Sequence, residues 1–156
     1  MEETMIVHTT VDAPAATVFA ALADPANHAA IDGTGWVREP VDGERITGVG
    51  QIFRMAMYHD NHPDGAYEMA NTVIAFQPDR VIAWEPGQPG ADGVVEGGGW
   101  TWRYDLQPQG DGQTRVTLTY DWSAVPAAFR EQIEFPPFPA EHLHNSLANL
   151  AELVAG

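Results

Sequence analysis

Two stretches of this chain alternate apolar and polar residues with a period of two, and a third repeats its apolar residues with a helical period. Trp100, Trp102, Tyr104 and Leu106 alternate with Thr101, Arg103 and Asp105, and Val116, Leu118, Tyr120 and Trp122 alternate with Thr117, Thr119 and Asp121. Successive side chains of a strand point to opposite faces, so both stretches read as strands with one aromatic face and one wetted face. Leu143, Leu147, Leu150 and Val154 follow at spacings of four, three and four, which places them on one face of a helix predicted over 139–154. An aromatic sheet face and an apolar helix face both need a cover, and each serves as the other's.

The rest of the chain fits that pairing. Thr4 to Asp12 is rich in β-branched residues and is stopped by Ala13-Pro14, the pattern of a strand feeding a helix. Val18, Phe19, Leu22 and Ala23 recur at helical spacing, and Asp24-Pro25 ends that helix and opens a second short one through Ile31, with Asp32-Gly33 as the exit. The period then changes to two: WVREPV, GQIFRMAMYH, YEMANTVIAFQP, RVIAWEP, GWTWRYDLQP and QTRVTLTYDW read as six strands. Asp42-Gly43, Pro63-Asp64-Gly65, Pro78-Asp79 and Gly110-Asp111-Gly112 read as turns, and Pro86 to Gly99 as a long glycine-rich loop. Short connections favour an antiparallel meander. A short helix is expected over Ala127–Ile133, and FPPFP at 135–139 reads as a stiff connector. The expected fold class is therefore α+β: a curved antiparallel sheet of about seven strands around a long C-terminal helix, with two short helices after the first strand.

Composition limits the function. The 156 residues match the size of one domain, 1–156, able to bury roughly 70% of its unfolded surface. The net charge of −15, from 22 acidic residues against seven Arg and no Lys, repels phosphate backbones and anionic lipid. Nucleic acid is not an expected partner. Without Cys there is no thiolate nucleophile or cysteine metal site, and without Lys no Schiff base. The N-terminus lacks the basic and apolar regions of a signal peptide, and no stretch approaches the roughly 18 apolar residues of a membrane span. The expected location is cytoplasmic, with no membrane insertion.

The same alternation turns Phe53, Met55, Met57 and His59 inward on the third strand. Large aromatics leave gaps in a curved sheet and Met adapts to guests of different shape, so patterning alone leaves open both a cavity and a close-packed core.

The order of strand, two short helices, six strands and long helix, together with VDAPAATVFAALADPANHAAID, FQPDRVIAWEP and TRVTLTYDWS, resembles the START-like or SRPBCC superfamily over nearly the whole chain. It looks most like the polyketide cyclase/dehydrase and Hsp90-ATPase-activator-homologue-like branches, through Ala13-Pro14, Val18-Phe19 and Asp24-Pro25. The resemblance implies a helix-grip fold with a deep pocket between sheet and C-terminal helix for an apolar molecule such as a lipid, sterol or polyketide. Those motifs belong to the scaffold and carry no shared catalytic set.

Candidate lining residues are then Phe53, Met55, Met57, Asn71, Trp84, Trp100, Trp102, Tyr120, Trp122, Leu143 and Leu147. His59 and Tyr104 are the candidate catalytic groups, the first because its ordinary pKa is near neutral, the second because a phenol in an apolar wall can orient a ligand carbonyl. Asn71, Glu68 and Glu85 face in or out depending on the phase of their strands, and a strand-end His59 is equally a solvated turn residue. His59, Asp60, His62 and Asp64 have metal-ligand side chains but read as an ordinary turn, and His142 and His144 diverge on their helix; no metal or cofactor is expected. The leading reading is binding of a small hydrophobic, lipid- or polyketide-like molecule, with cyclisation or aromatisation as the reaction if there is turnover. The alternatives are a non-catalytic carrier or sensor, and a protein-interaction module using Phe135 and Phe138. Nothing in the sequence fixes the oligomeric state, and a homodimer is compatible with it.

Overall fold

A computed structural model describes residues 4–32, 37–40, 45–58, 66–89, 95–97, 99–110, 112–125, 127 and 141–154. In chain order the elements are β1 (Thr4–Val11), α1 (Ala15–Leu22), a 3-10 turn (Pro25–Asn27), α2 (His28–Ile31), β2 (Val37–Pro40), β3 (Ile52–Tyr58), β4 (Ala66–Gln77), β5 (Val81–Pro89), β6 (Val95–Gly97), β7 (Thr101–Pro108), β8 (Thr114–Asp121) and α3 (Glu141–Val154). All strand pairs are antiparallel, in the order β1-β8-β7-β5-β4-β3-β2, with β6 paired to the far end of β5.

That order explains the helices. β1 and β2 lie at opposite edges of the sheet, so the chain must cross one face between them, and α1, the 3-10 turn and α2 make that crossing. Pro14 sits at the N-cap of α1, where its missing N–H costs nothing, and the Asp24 side chain accepts from the Ala26 N–H at 3.0 Å to open the 3-10 turn. Val18, Phe19 and Leu22 of α1 are buried, with Phe19 edge-on to Phe76 at 5.2 Å. Leu143, Leu147 and Leu150 of α3 are buried as their spacing requires, and each contributes roughly 1.5–3 kcal/mol by leaving water. The helix packs on β1, β8, α1 and α2, and Asn149 donates to the Ile31 carbonyl at 3.2 Å.

The alternation of β7 and β8 appears as read. Tyr104, Leu106, Val116, Leu118 and Tyr120 are buried, while Arg103 and Asp105 meet as an ion pair at 2.9 Å on the other face. Ile6, Ile52 and Ile74 are exposed. Ile74 falls between Val73 and Ala75, where the β4–β5 register slips, and such a bulge adds the bend that helps curl a sheet around its helix.

One expectation needs revision. The stretch from Pro86 to Gly99 is not all loop: β5 continues to Pro89, and β6 returns along it with Gly87 opposite Gly97 and Gln88 opposite Glu96. Ladder hydrogen bonds come from the backbone, so glycine and proline content hid a short hairpin. The strand count is accordingly eight, seven of them on the continuous path. The expected helix over Ala127–Ile133, the Phe135–Phe138 connector and the turn from His59 to Gly65 lie outside the described residues, apart from Ala127 itself.

Candidate ligand-binding site

The layer between the sheet and the helices is fully buried under α1 and partly exposed toward the row that ends at Trp84. Under α1 it is shut by Val11, Val18, Leu22, Leu106 and Val116, all buried. Toward the other end, the cross-strand row Met5, Tyr120, Trp102 and Trp84 brings large rings side by side. Met5, Met57, Trp84, Trp100 and Trp102 pack against the core yet stay partly exposed.

At the centre of this layer stands His28. The 3-10 turn and α2 lay its ring, only 8% exposed, nearly parallel to Trp84 at 5.1 Å and edge-on to Phe53 at 5.4 Å. Phe53 and Trp84 meet edge-on at 5.5 Å, and Tyr104 stacks beyond at 6.0 Å from Trp84. His28 Nε2 lies 2.8 Å from the Leu22 carbonyl. A carbonyl only accepts, so Nε2 carries the hydrogen and Nδ1 of the neutral ring is a lone pair. Burial holds the His28 pKa below 6.5, against the opposing pull of the Leu22 hydrogen bond and of Asp24 and Asp32.

Two further polar groups border the same rings. Tyr104 is 5% exposed, and burial, followed by the charge of Asp32, pushes its phenol well above the ordinary range, so it stays a hydrogen-bond donor. Asn71, 6% exposed, lies across the ladder from both Phe53 and Pro86. Among the described residues neither the Tyr104 hydroxyl nor the Asn71 carboxamide has a hydrogen-bond partner, and neither is sealed from solvent. Each residue is buried among aromatic rings while its polar atom has only solvent to bond, so each can turn to a polar group of a bound molecule. The second aromatic group, Trp102, Tyr120 and Trp122, runs along the β8 side, with ring centres 4.6 and 5.6 Å apart. Burial raises the Tyr120 pKa as well.

Of the residues singled out from sequence, Phe53, Met55, Asn71, Tyr104, Tyr120, Trp122, Leu143 and Leu147 are buried, and Met57, Trp84, Trp100 and Trp102 are partly buried against the core. His59 lies outside the described residues. Asn71 is the inward member of its group; Glu68 is half-buried, 4.0 Å from Arg54. No cluster of three metal-ligating side chains occurs among the described residues. Sequence reading passed over His28 and Asp32. His28 and Ile31, three apart on the one turn of α2, are both buried, but a four-residue helix gives the sequence no period from which to read that.

Residues 4–155 match the model of a family described as polyketide cyclase / dehydrase and lipid transport. Among similar proteins, the uncharacterized protein Rv0088 of Mycobacterium tuberculosis strain H37Rv is 30% identical over 150 residues, 93% of this chain and 61% of that protein. MT0096, from strain CDC 1551, is 31% identical over the same shares. The chain thus spans about three-fifths of the curated relatives it matches. Among solved structures, protein CV1439 of Chromobacterium violaceum superposes with a TM-score of 0.67 at 20% identity, over 100% of this chain and 99% of that one. A protein of Arthrobacter aurescens gives 0.70 at 14% identity, over 98% and 86%. At such identities the likeness is one of fold, the helix-grip α+β arrangement.

Proposed function

The chain belongs to the polyketide cyclase / dehydrase and lipid transport family, and from that premise we propose that residues 1–156 form one domain that binds a small hydrophobic molecule between the sheet and α3. The observation that carries this reading is the set of buried polar groups without protein partners, Tyr104 and Asn71, within an otherwise aromatic wall. A core built only to be filled gains nothing from an unpaired hydroxyl and carboxamide, whereas a guest with a carbonyl or hydroxyl oxygen would satisfy them. Phe53, Met57, Trp84, Trp100, Trp102 and Tyr120 would supply the apolar contact. The net charge of −15 argues against nucleic acid as the partner.

Should the guest be converted, a protonated Tyr104 is the group able to polarise its carbonyl, the first requirement of ring closure on a polyketide. The test is a titration of intrinsic tryptophan fluorescence with fatty acids, sterols and bicyclic aromatic ketones. Trp84, Trp100 and Trp102 are partly exposed, so a bound guest should dry them and shift emission to the blue, saturably and for one chemical class above the others. A flat response to all three classes would overturn the reading. Turnover of the class that binds is then followed by product analysis.

A further inference from the structure

His28 does not belong to the apolar lining, and a role as packing alone does not account for it. The Leu22 carbonyl consumes Nε2–H and thereby fixes the tautomer, leaving Nδ1 as an acceptor. Among the described residues Nδ1 has no donor, and it is not sealed from solvent. The ring is wedged between Trp84 and Phe53, so it cannot turn away to find one. Tyr104, a donor, stacks on the same indole. An acceptor and a donor on opposite chemistry, both held against Trp84, match a guest that offers a donor and an acceptor in return.

We propose that His28 Nδ1 receives a hydroxyl hydrogen of the bound molecule, so that the site selects flat apolar guests carrying a phenolic or enolic O–H in addition to the carbonyl oxygen that Tyr104 holds. This rests on the ligand-binding reading above and adds to it a specificity-determining residue and a substrate class, hydroxyketones. His28 acts by a lone pair that an ordinary core aromatic lacks. A methyl ether at the same position offers Nδ1 nothing and leaves that acceptor buried without a partner, which is the stronger source of discrimination.

The test compares 6-hydroxy-2-acetonaphthone with 6-methoxy-2-acetonaphthone by tryptophan fluorescence and calorimetry. The wild-type protein should bind the hydroxyketone about fivefold to tenfold more tightly, the worth of one hydrogen bond. In His28→Phe, which keeps an aromatic ring but has no acceptor, the ratio should fall to about one, chiefly through weaker binding of the hydroxyketone. In Tyr104→Phe both ketones should weaken together. A ratio near one in the wild type, or an unchanged ratio in His28→Phe, overturns the role of His28 while ligand binding stands; no binding of either ketone overturns both. Should His28→Phe not fold, long-range proton–nitrogen NMR of the wild-type imidazole decides. Nδ1 must be the unprotonated nitrogen of the free protein, and its resonance must move with the hydroxyketone and not with the methyl ether. A hydrogen on Nδ1 of the free protein overturns the proposal.

Discussion

Replacing Tyr104 by Phe should make this protein more stable and a poorer binder of ketones. The hydroxyl is 5% exposed as part of its residue, and among the described residues nothing bonds it. In the unfolded chain the same group is fully hydrated. An unpaired buried hydroxyl costs about 1–3 kcal/mol, and because solvent still reaches this oxygen the lower end applies, so its removal should return about 1 kcal/mol. For a chain of this size that is a rise in melting temperature of about 2–4 °C. In urea the midpoint should move up by about 0.5 M at an unchanged slope of roughly 2 kcal/mol/M. Affinity for aromatic ketones should fall about fivefold to tenfold in the same variant. A loss of 1 kcal/mol or more in the urea experiment would mean that the hydroxyl is bonded within the folded chain, and the claim that it is held for a guest would fail.

Three other perturbations have definite outcomes. Leu147, only 2% exposed, anchors α3, and Leu147→Ala should cost about 3 kcal/mol by equilibrium denaturation. Gly99 enters β7 with φ +94°, and a Cβ there would lie 2.5 Å from the Ala124 carbonyl oxygen; Gly99→Ala should lower stability by about 2 kcal/mol or more, with a calorimetric melt as the check. His28 is buried neutral, with Asp24 and Asp32 the charges acting on it, so below its ordinary pKa of 6.5 the unfolded chain takes up a proton that the folded chain refuses. Stability should therefore fall, through this residue alone, as the pH drops through 6.5, and level off once the folded pKa is passed. His28→Phe should be less stable at neutral pH, because the Leu22 carbonyl loses its donor, but flatter across that window. A slope unchanged from wild type would show that His28 does not titrate as buried.

The parts of the fold legible in sequence were those where one period persists. β7 and β8 hold their alternation over eight residues each, and α3 holds its apolar face from Leu143 to Val154 over three turns, so face and partner followed directly. Pro14 and Asp24-Pro25 punctuate the crossing helices through geometry that depends on local chain chemistry alone. The β5–β6 hairpin was missed because its ladder depends on backbone groups and, apart from Val95, its residues are Gly, Pro, Gln and Glu. The candidate site was legible as a wall and not as a constellation. Aromatic positions follow from the pleat, but the meeting of His28 with Trp84 joins a one-turn helix to a strand more than fifty residues away, and four residues of α2 are too few for a period to declare which side is buried. Asn71 and Glu68 stood in strand β4, where both phases carry apolar side chains, and the register with β3 was needed to separate them.

The central claim, that a hydrophobic guest lies between the sheet and α3, is tested most directly by mapping 2-acetonaphthone onto the protein by NMR. Indole resonances of Trp84 and Trp102 and methyl resonances of Met57, Met69 and Leu147 report on the inner layer, and the exposed Ile6, Ile52 and Ile74 report on the outside of the protein. The account predicts saturable shifts confined to the first group, together with contacts from the ligand to the Tyr104 ring. Shifts confined to Ile6, Ile52 and Ile74, or none at ligand saturation of the solution, would contradict it.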